Sequence, residues 1–104
     1  MNPDSEYYAV IFTSQMSDST EGYAEMSEKM VELAKQQEGF LGIDSARSDI
    51  GITVSYWESL ESIKNWKMNA EHTIARNLGR EQWYKSYDLK ICKVLRAYNF
   101  TKED

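Results

Sequence analysis

His72 is the only imidazole in the chain, and the chemistry it offers is proton transfer near neutral pH. Asn69, three residues earlier, has the side chain of a helix N-cap. A helix opening at Ala70 would put His72 in its third position, where the positive end of the helix dipole holds an imidazole neutral and ready to accept a proton. Arg76 follows four residues on, hence on the same helical face, and could hold an enolate or phenolate beside that base. Two readings compete: a base with its anion holder, or a histidine that only caps or packs near a helix start beside a solvated surface arginine. Trp66 falls on the apolar side of its helix with Ile63, either walling a planar ligand or filling the core. Tyr56, on a central strand, is a candidate hydroxyl donor to a cleft. Cys92 is the single cysteine, which excludes an intrachain disulfide and a cysteine-based metal cluster; in its apolar strand pattern it reads as an inert thiol. Trp83, Tyr84 and Tyr87 form an aromatic cluster expected to pack the last strand or a dimer edge, and Met26 and Met30, at helical spacing, are expected in the core.

The elements that must position these side chains follow from periodicity. Tyr7 to Thr13 carries bulky residues on both alternation sets, as a strand covered on both faces does. Asp18 and Glu21, at capping-box spacing, open a helix to about Gln37 with a buried stripe of Tyr23, Met26, Met30, Leu33 and Ala34, ended by Gly39. Phe40 to Arg47 reads as a second strand, joined by a hairpin-like turn over Ser48–Gly51 to a third, Ile52 to Trp57. Ser59 caps a short helix with Leu60, Ile63 and Trp66 on one side, and Asn69 caps the next, which carries Ile74 and Leu78 past Gly79 to about Lys85. Asp88 to Phe100 is a long last strand whose apolar set shifts from Leu89 and Ile91 to Cys92 and Val94, as a bulge would cause.

The order is β-α-β-β-α(α)-β: an α+β, ferredoxin-like split βαβ arrangement, a four-stranded antiparallel sheet with its helices on one face. The 104 residues make a single domain, 1–104, with 1–6 and 101–104 as loose termini. A formal charge of -5, with twelve Lys and Arg among seventeen carboxylates, argues against nucleic acid, which demands clustered cations. The N-terminus lacks the apolar run of a signal peptide, and no stretch approaches the roughly 18 apolar residues of a membrane span, so a soluble, cytoplasmic protein without a membrane partner is expected. Helices on one face leave the other bare, although the first and third strands point large apolar groups both ways. A soluble monomer rarely exposes such a patch; a homodimer closing sheet on sheet covers it with one self-complementary contact.

The run SYWESLESIKNWKMNAEHTIARNLGREQWYKSY, together with EGFLGIDSAR and the closing strand, resembles the antibiotic biosynthesis monooxygenase domain family over roughly residues 7 to 100. The resemblance implies a dimeric α+β barrel with a ligand cleft between each sheet and its own helices. It also implies oxidation of a small aromatic or quinol-like compound by dioxygen without metal, flavin or other cofactor, the deprotonated substrate itself reducing oxygen. His72 and Arg76 would then be catalytic, and Trp66 and Tyr56 substrate-binding. A haem-degrading relative would carry an Asn on the first strand and a ligand histidine near the place of Arg76; Tyr7 to Thr13 has no Asn, and His72 lies earlier. A dimeric ligand-binding or stress-response module that turns nothing over is the alternative of a different class.

Overall fold

The structure, a computed structural model, describes residues 6–76 and 83–103, with 71–76 described in backbone alone. Its elements are β1 (Tyr7–Met16), α1 (Tyr23–Lys35), β2 (Phe40–Arg47), β3 (Gly51–Trp57), α2 (Leu60–Arg76) and β4 (Tyr84–Val94). The strands form one sheet in the order β2-β3-β1-β4, every pairing antiparallel. This is the α+β ferredoxin-like arrangement that the element order implies.

Because side chains alternate, the register assigns each residue to a face. Val10 pairs with Ser55 and Ile91, and Phe12 with Thr53 and Leu89, on the side covered by the helices; Ala9 with Tyr56 and Cys92, and Ile11 with Val54 and Lys90, on the other. Val10, Ala34, Trp57 and Ile63 form the core cluster, so β1, β3, α1 and α2 each supply one member, and Tyr8, Phe40 and Trp66 pack against it. Trp57 is completely buried, and its indole N–H donates to the Ser55 hydroxyl at 2.9 Å, which removes the cost of burying that donor. Phe40 meets Trp57 edge-on at 5.4 Å, while Trp66 stacks on it at 6.0 Å with an interplanar angle of 20°.

Four expectations are corrected. The first helix begins at Tyr23, after Gly22 at its N-cap, with no side-chain cap; the Ser17 hydroxyl instead bonds locally with Ser19. Leu60 to Arg76 is one helix, not two. Ser59 caps it, its hydroxyl accepting from the Ser62 N–H at 3.0 Å. Asn69 stays inside, its amide donating to the Asn65 carbonyl one turn back and to Gln37 just after α1. An asparagine whose side chain is satisfied in this way has no reason to break the helix. Tyr84 and Lys85 belong to β4, not to a third helix, and the proposed course through Gly79 lies outside the described residues. β4 ends at Val94, with residues 95–103 outside regular structure, and its pairing with β1 shifts at Gln15/Met16 and not near Cys92. Leu89 and Ile91 simply face the helices while Cys92 and Val94 face away.

Candidate functional site

Between the sheet and its helices lies a cavity of about 330 Å³, at the lower end of the volumes typical of small-molecule sites. The sheet supplies a floor that includes Val10, Phe12 and Ser55; α1 contributes Met26 and Met30, α2 contributes Trp66 and Lys67, and Trp83 and Tyr84 line it after α2. Tyr87, Leu89 and Ile91 of the edge strand also line the cavity while remaining 39–47% exposed, so the cavity is open along β4. Phe12, Tyr84 and Tyr87 form a triangle of rings with centroids 5.4–5.7 Å apart, joined through Tyr84 to Tyr23 and through Tyr23 to Trp83 at 5.8 Å each. Trp83 is buried because its indole N–H reaches the Glu21 carbonyl at 2.8 Å.

The polar end of the cavity is built around Arg47. In the sheet, Arg47 of β2 pairs with Gly51 of β3, Gly51 with Ser14 of β1, and Ser14 with Tyr87 of β4, one continuous row across four strands on the helix side. The Arg47 side chain crosses the intervening strand where that strand has no side chain: a Cβ on Gly51 would collide with the guanidinium. It arrives at the buried Ser14, whose hydroxyl accepts from Nη2 at 2.5 Å. The same nitrogen lies 3.5 Å from the Tyr23 hydroxyl, and the cation sits 5.7 Å from the Tyr23 ring centre. Burial first, then a hydrogen bond to Tyr23, pushes the Tyr84 phenol well above the ordinary 10.0. Tyr84 is therefore a neutral donor, unsuited to act as a base.

YqjZ of Bacillus subtilis, itself uncharacterised, is 48% identical to this chain over 100 residues, which span 94% of the chain and 88% of YqjZ. The chain belongs to the YqjZ family. No protein-family model matches the sequence. SnoaB of Streptomyces nogalater, a cofactor-independent oxygenase, superposes with a TM-score of 0.67 at 9% identity, covering 88% of this chain and 95% of SnoaB. A Chloroflexus aurantiacus protein assigned to the antibiotic biosynthesis monooxygenases superposes with 0.60 at 18% identity, covering 89% and 97%. This YqjZ relative thus has the fold of the antibiotic biosynthesis monooxygenases, a likeness of fold alone at such identities.

Among the residues singled out from the sequence, Trp66 lines the cavity and also packs against the core. Tyr56 is corrected: it faces the opposite side of the sheet, paired with Ala9 and 6.3 Å from the Tyr7 ring. Burial and then the Asp44 carboxylate raise its phenol above 10.0. Its neighbour Ser55 is the one that faces the helices, a single step in a period of two. The backbones of His72 and Arg76 lie in α2, more than three turns beyond its start at Leu60, so the dipole argument for a neutral His72, which needs the first helical turn, fails; their side chains lie outside the described residues. Met26, Met30, Trp83, Tyr84 and Tyr87, expected only to pack, line the cavity. Arg47 was missed: the turn was expected over Ser48–Gly51, whereas β3 starts at Gly51, which pairs with Arg47.

Proposed function

We propose that this member of the YqjZ family is a cofactor-independent monooxygenase that oxidises a small aromatic or quinol-like compound with dioxygen. The observation that carries this reading is the aromatic-walled cavity between sheet and helices, in a fold shared with a cofactor-independent oxygenase. Its apolar and ring-lined walls suit a planar ligand. With an anthrone-type substrate, a base removes one methylene proton, the carbanion gives an electron to dioxygen, and the recombined peroxide loses water. The methylene thereby loses two hydrogens and gains one oxygen atom, while the second oxygen atom leaves as water. His72 is the proposed base, and Arg76 the cation that holds the enolate. The protein is proposed to work as a cytoplasmic homodimer closed through the open sheet face, where Ile52 is 47% exposed in the single chain. Leu95, Tyr98 and Phe100, 82–87% exposed beyond β4, add apolar surface that a second copy would cover.

A second reading, ligand binding without turnover, draws on one observation: among the described residues lining the cavity there is no carboxylate or imidazole to take a proton. Oxygen uptake with the anthrone dithranol separates the two. A monooxygenase consumes oxygen at least about tenfold faster than the uncatalysed background and loses most of that rate in His72→Ala, general bases commonly contributing about a hundredfold or more. Thermal stabilisation by dithranol with no oxygen uptake above background would establish the binding module instead.

A further inference from the structure

The protein carries a net charge of -5, yet the charged residues that line its cavity, among those described, are both cations: Arg47 and Lys67. Arg47 is also without an ion-pair partner among the described residues. An unpaired arginine on a surface is ordinarily a solvated, freely rotating side chain. This one is fixed on three sides, by the buried Ser14 hydroxyl, by the backbone of Gly51 and by the ring of Tyr23. Fixing a long side chain costs rotamer entropy, and prepaying that cost is what a recognition residue does for its ligand.

The hydrogen-bond arithmetic points the same way. Nη2 of Arg47 is engaged with Ser14 and Tyr23, while Nη1 has no protein acceptor among the described residues, leaving its N–H groups for another acceptor. Tyr23 accepts from Nη2 of Arg47 and shares a hydrogen bond with Tyr84, so the two phenols together leave one hydroxyl proton to donate. A guanidinium and a phenol thus converge as donors at one end of a cavity whose remaining lining is chiefly apolar and aromatic. That pattern is complementary to a flat ring bearing an anionic oxygen group.

We propose that the cavity selects aromatic compounds carrying a carboxylate or an equivalent planar oxyanion, and that Arg47, held by Ser14 and Tyr23 across Gly51, is the residue that recognises it. The proposal deepens the functional reading above and rests on it only in taking the cavity as the ligand site; it does not require turnover. Calorimetric titration with 2-naphthoate and with 2-naphthamide, its neutral counterpart of nearly equal shape, tests it on the unaltered protein. The expected result is naphthoate binding at least about tenfold more tightly than the amide, as a charge-assisted contact supplies, with the preference shrinking as salt is raised. Arg47→Met is expected to abolish the preference while keeping the amide affinity, and Tyr23→Phe, which leaves the arginine and its Ser14 contact in place, to reduce it several-fold. Equal binding of the two compounds by the unaltered protein, binding of neither, or a preference that survives in folded Arg47→Met would overturn the proposal. The oxygen-uptake assay reads separately: naphthoate selectivity without dithranol oxidation supports Arg47 as the anion holder and removes only the monooxygenase.

Discussion

Arg47 and Ser14 stand 33 residues apart in sequence and meet because the strand between them offers a gap the width of one side chain. Gly51 is that gap, so its substitution should act at a distance. In Gly51→Ala the new methyl displaces the guanidinium, and the flexible arginine swings away at little cost to folding. The expected outcome is a melting temperature within a few degrees of the parent, with calorimetric affinity for 2-naphthoate falling several-fold and that for 2-naphthamide unchanged. Tyr84 gives a prediction in pH. Its phenol ionises later in the folded chain than in the unfolded one, so between the two values the native state holds the extra proton. Its contribution to stability is complete below pH 10 and is lost as pH rises beyond it. Denaturation should therefore steepen above pH 10, less so in Tyr84→Phe, and absorbance at 295 nm should show late-ionising tyrosines, one of which this variant removes; an unchanged alkaline titration would refute it. At this scale Trp66 was legible, because its spacing from Ile63 marks a helix face. Tyr56 was assigned to the wrong side, because a strand with bulky groups on both faces does not reveal which face its helices cover. Arg47 was not legible, since its role depends on a pairing between three strands.

Elements announce themselves where their signals are local. Ser59 was legible as a cap because the acceptor sits three residues from the donor it satisfies. Asn69 carries the same chemical signal but spends its amide on Asn65 and Gln37, the second of which lies in the turn after α1, and so the break expected there never occurs. The result is an α2 that runs on past Trp66 and carries the backbone of His72 well beyond its first turn. The turn from α1 into β2 is equally dependent on tertiary contact. Gly39 has a φ of +89° and lies so close to Ser62 of α2 that a Cβ would overlap it, while its carbonyl accepts from the Glu58 N–H at 2.8 Å. Gly39→Ala should cost about 1–3 kcal/mol from backbone strain and more from the displaced Ser62, whose hydroxyl shares a 2.9 Å contact with the α2 cap residue Ser59. Urea denaturation checks this: a midpoint unchanged from the parent would mean that the turn tolerates a side chain.

As a whole the molecule is less compact than its length requires. Its radius of gyration is 14.9 Å, against roughly 13 Å for a globular chain of this size, and the apolar residues beyond β4 project from the body. No helix among the described residues is long and apolar enough to cross a membrane. A proposed sheet-to-sheet dimer of standard size, burying about 1,600 Å², makes a sharp distinction testable at Ile52. In an isolated chain this side chain is 47% exposed, so Ile52→Asp should cost little; in a closed dimer it buries an unpaired charge. Sedimentation at micromolar concentration is expected to show a dimer for the parent and a folded monomer for Ile52→Asp, and a monomeric parent would refute the closed face. The element order made the four-stranded α+β sheet legible from the residues, because it is a property of the chain's own periodicity; the two-sided first strand is what the proposed dimer rests on. The end of β4 at Val94 was not, because Leu95, Tyr98 and Phe100 continue a strand-like composition after their pairing has stopped.

β4 is the outermost strand on its side, beside β1 and no other, and it is also the longest, at 11 residues. An uncovered margin of that length is a template on which further chains can stack. Lys85, Lys90 and Lys93 punctuate it, all exposed, with Lys90 and Lys93 tethered to Asp88 and Glu6. Ammonium groups along such a margin oppose edge-to-edge pairing, so acetylating them is expected to raise the rate of aggregation, read by light scattering.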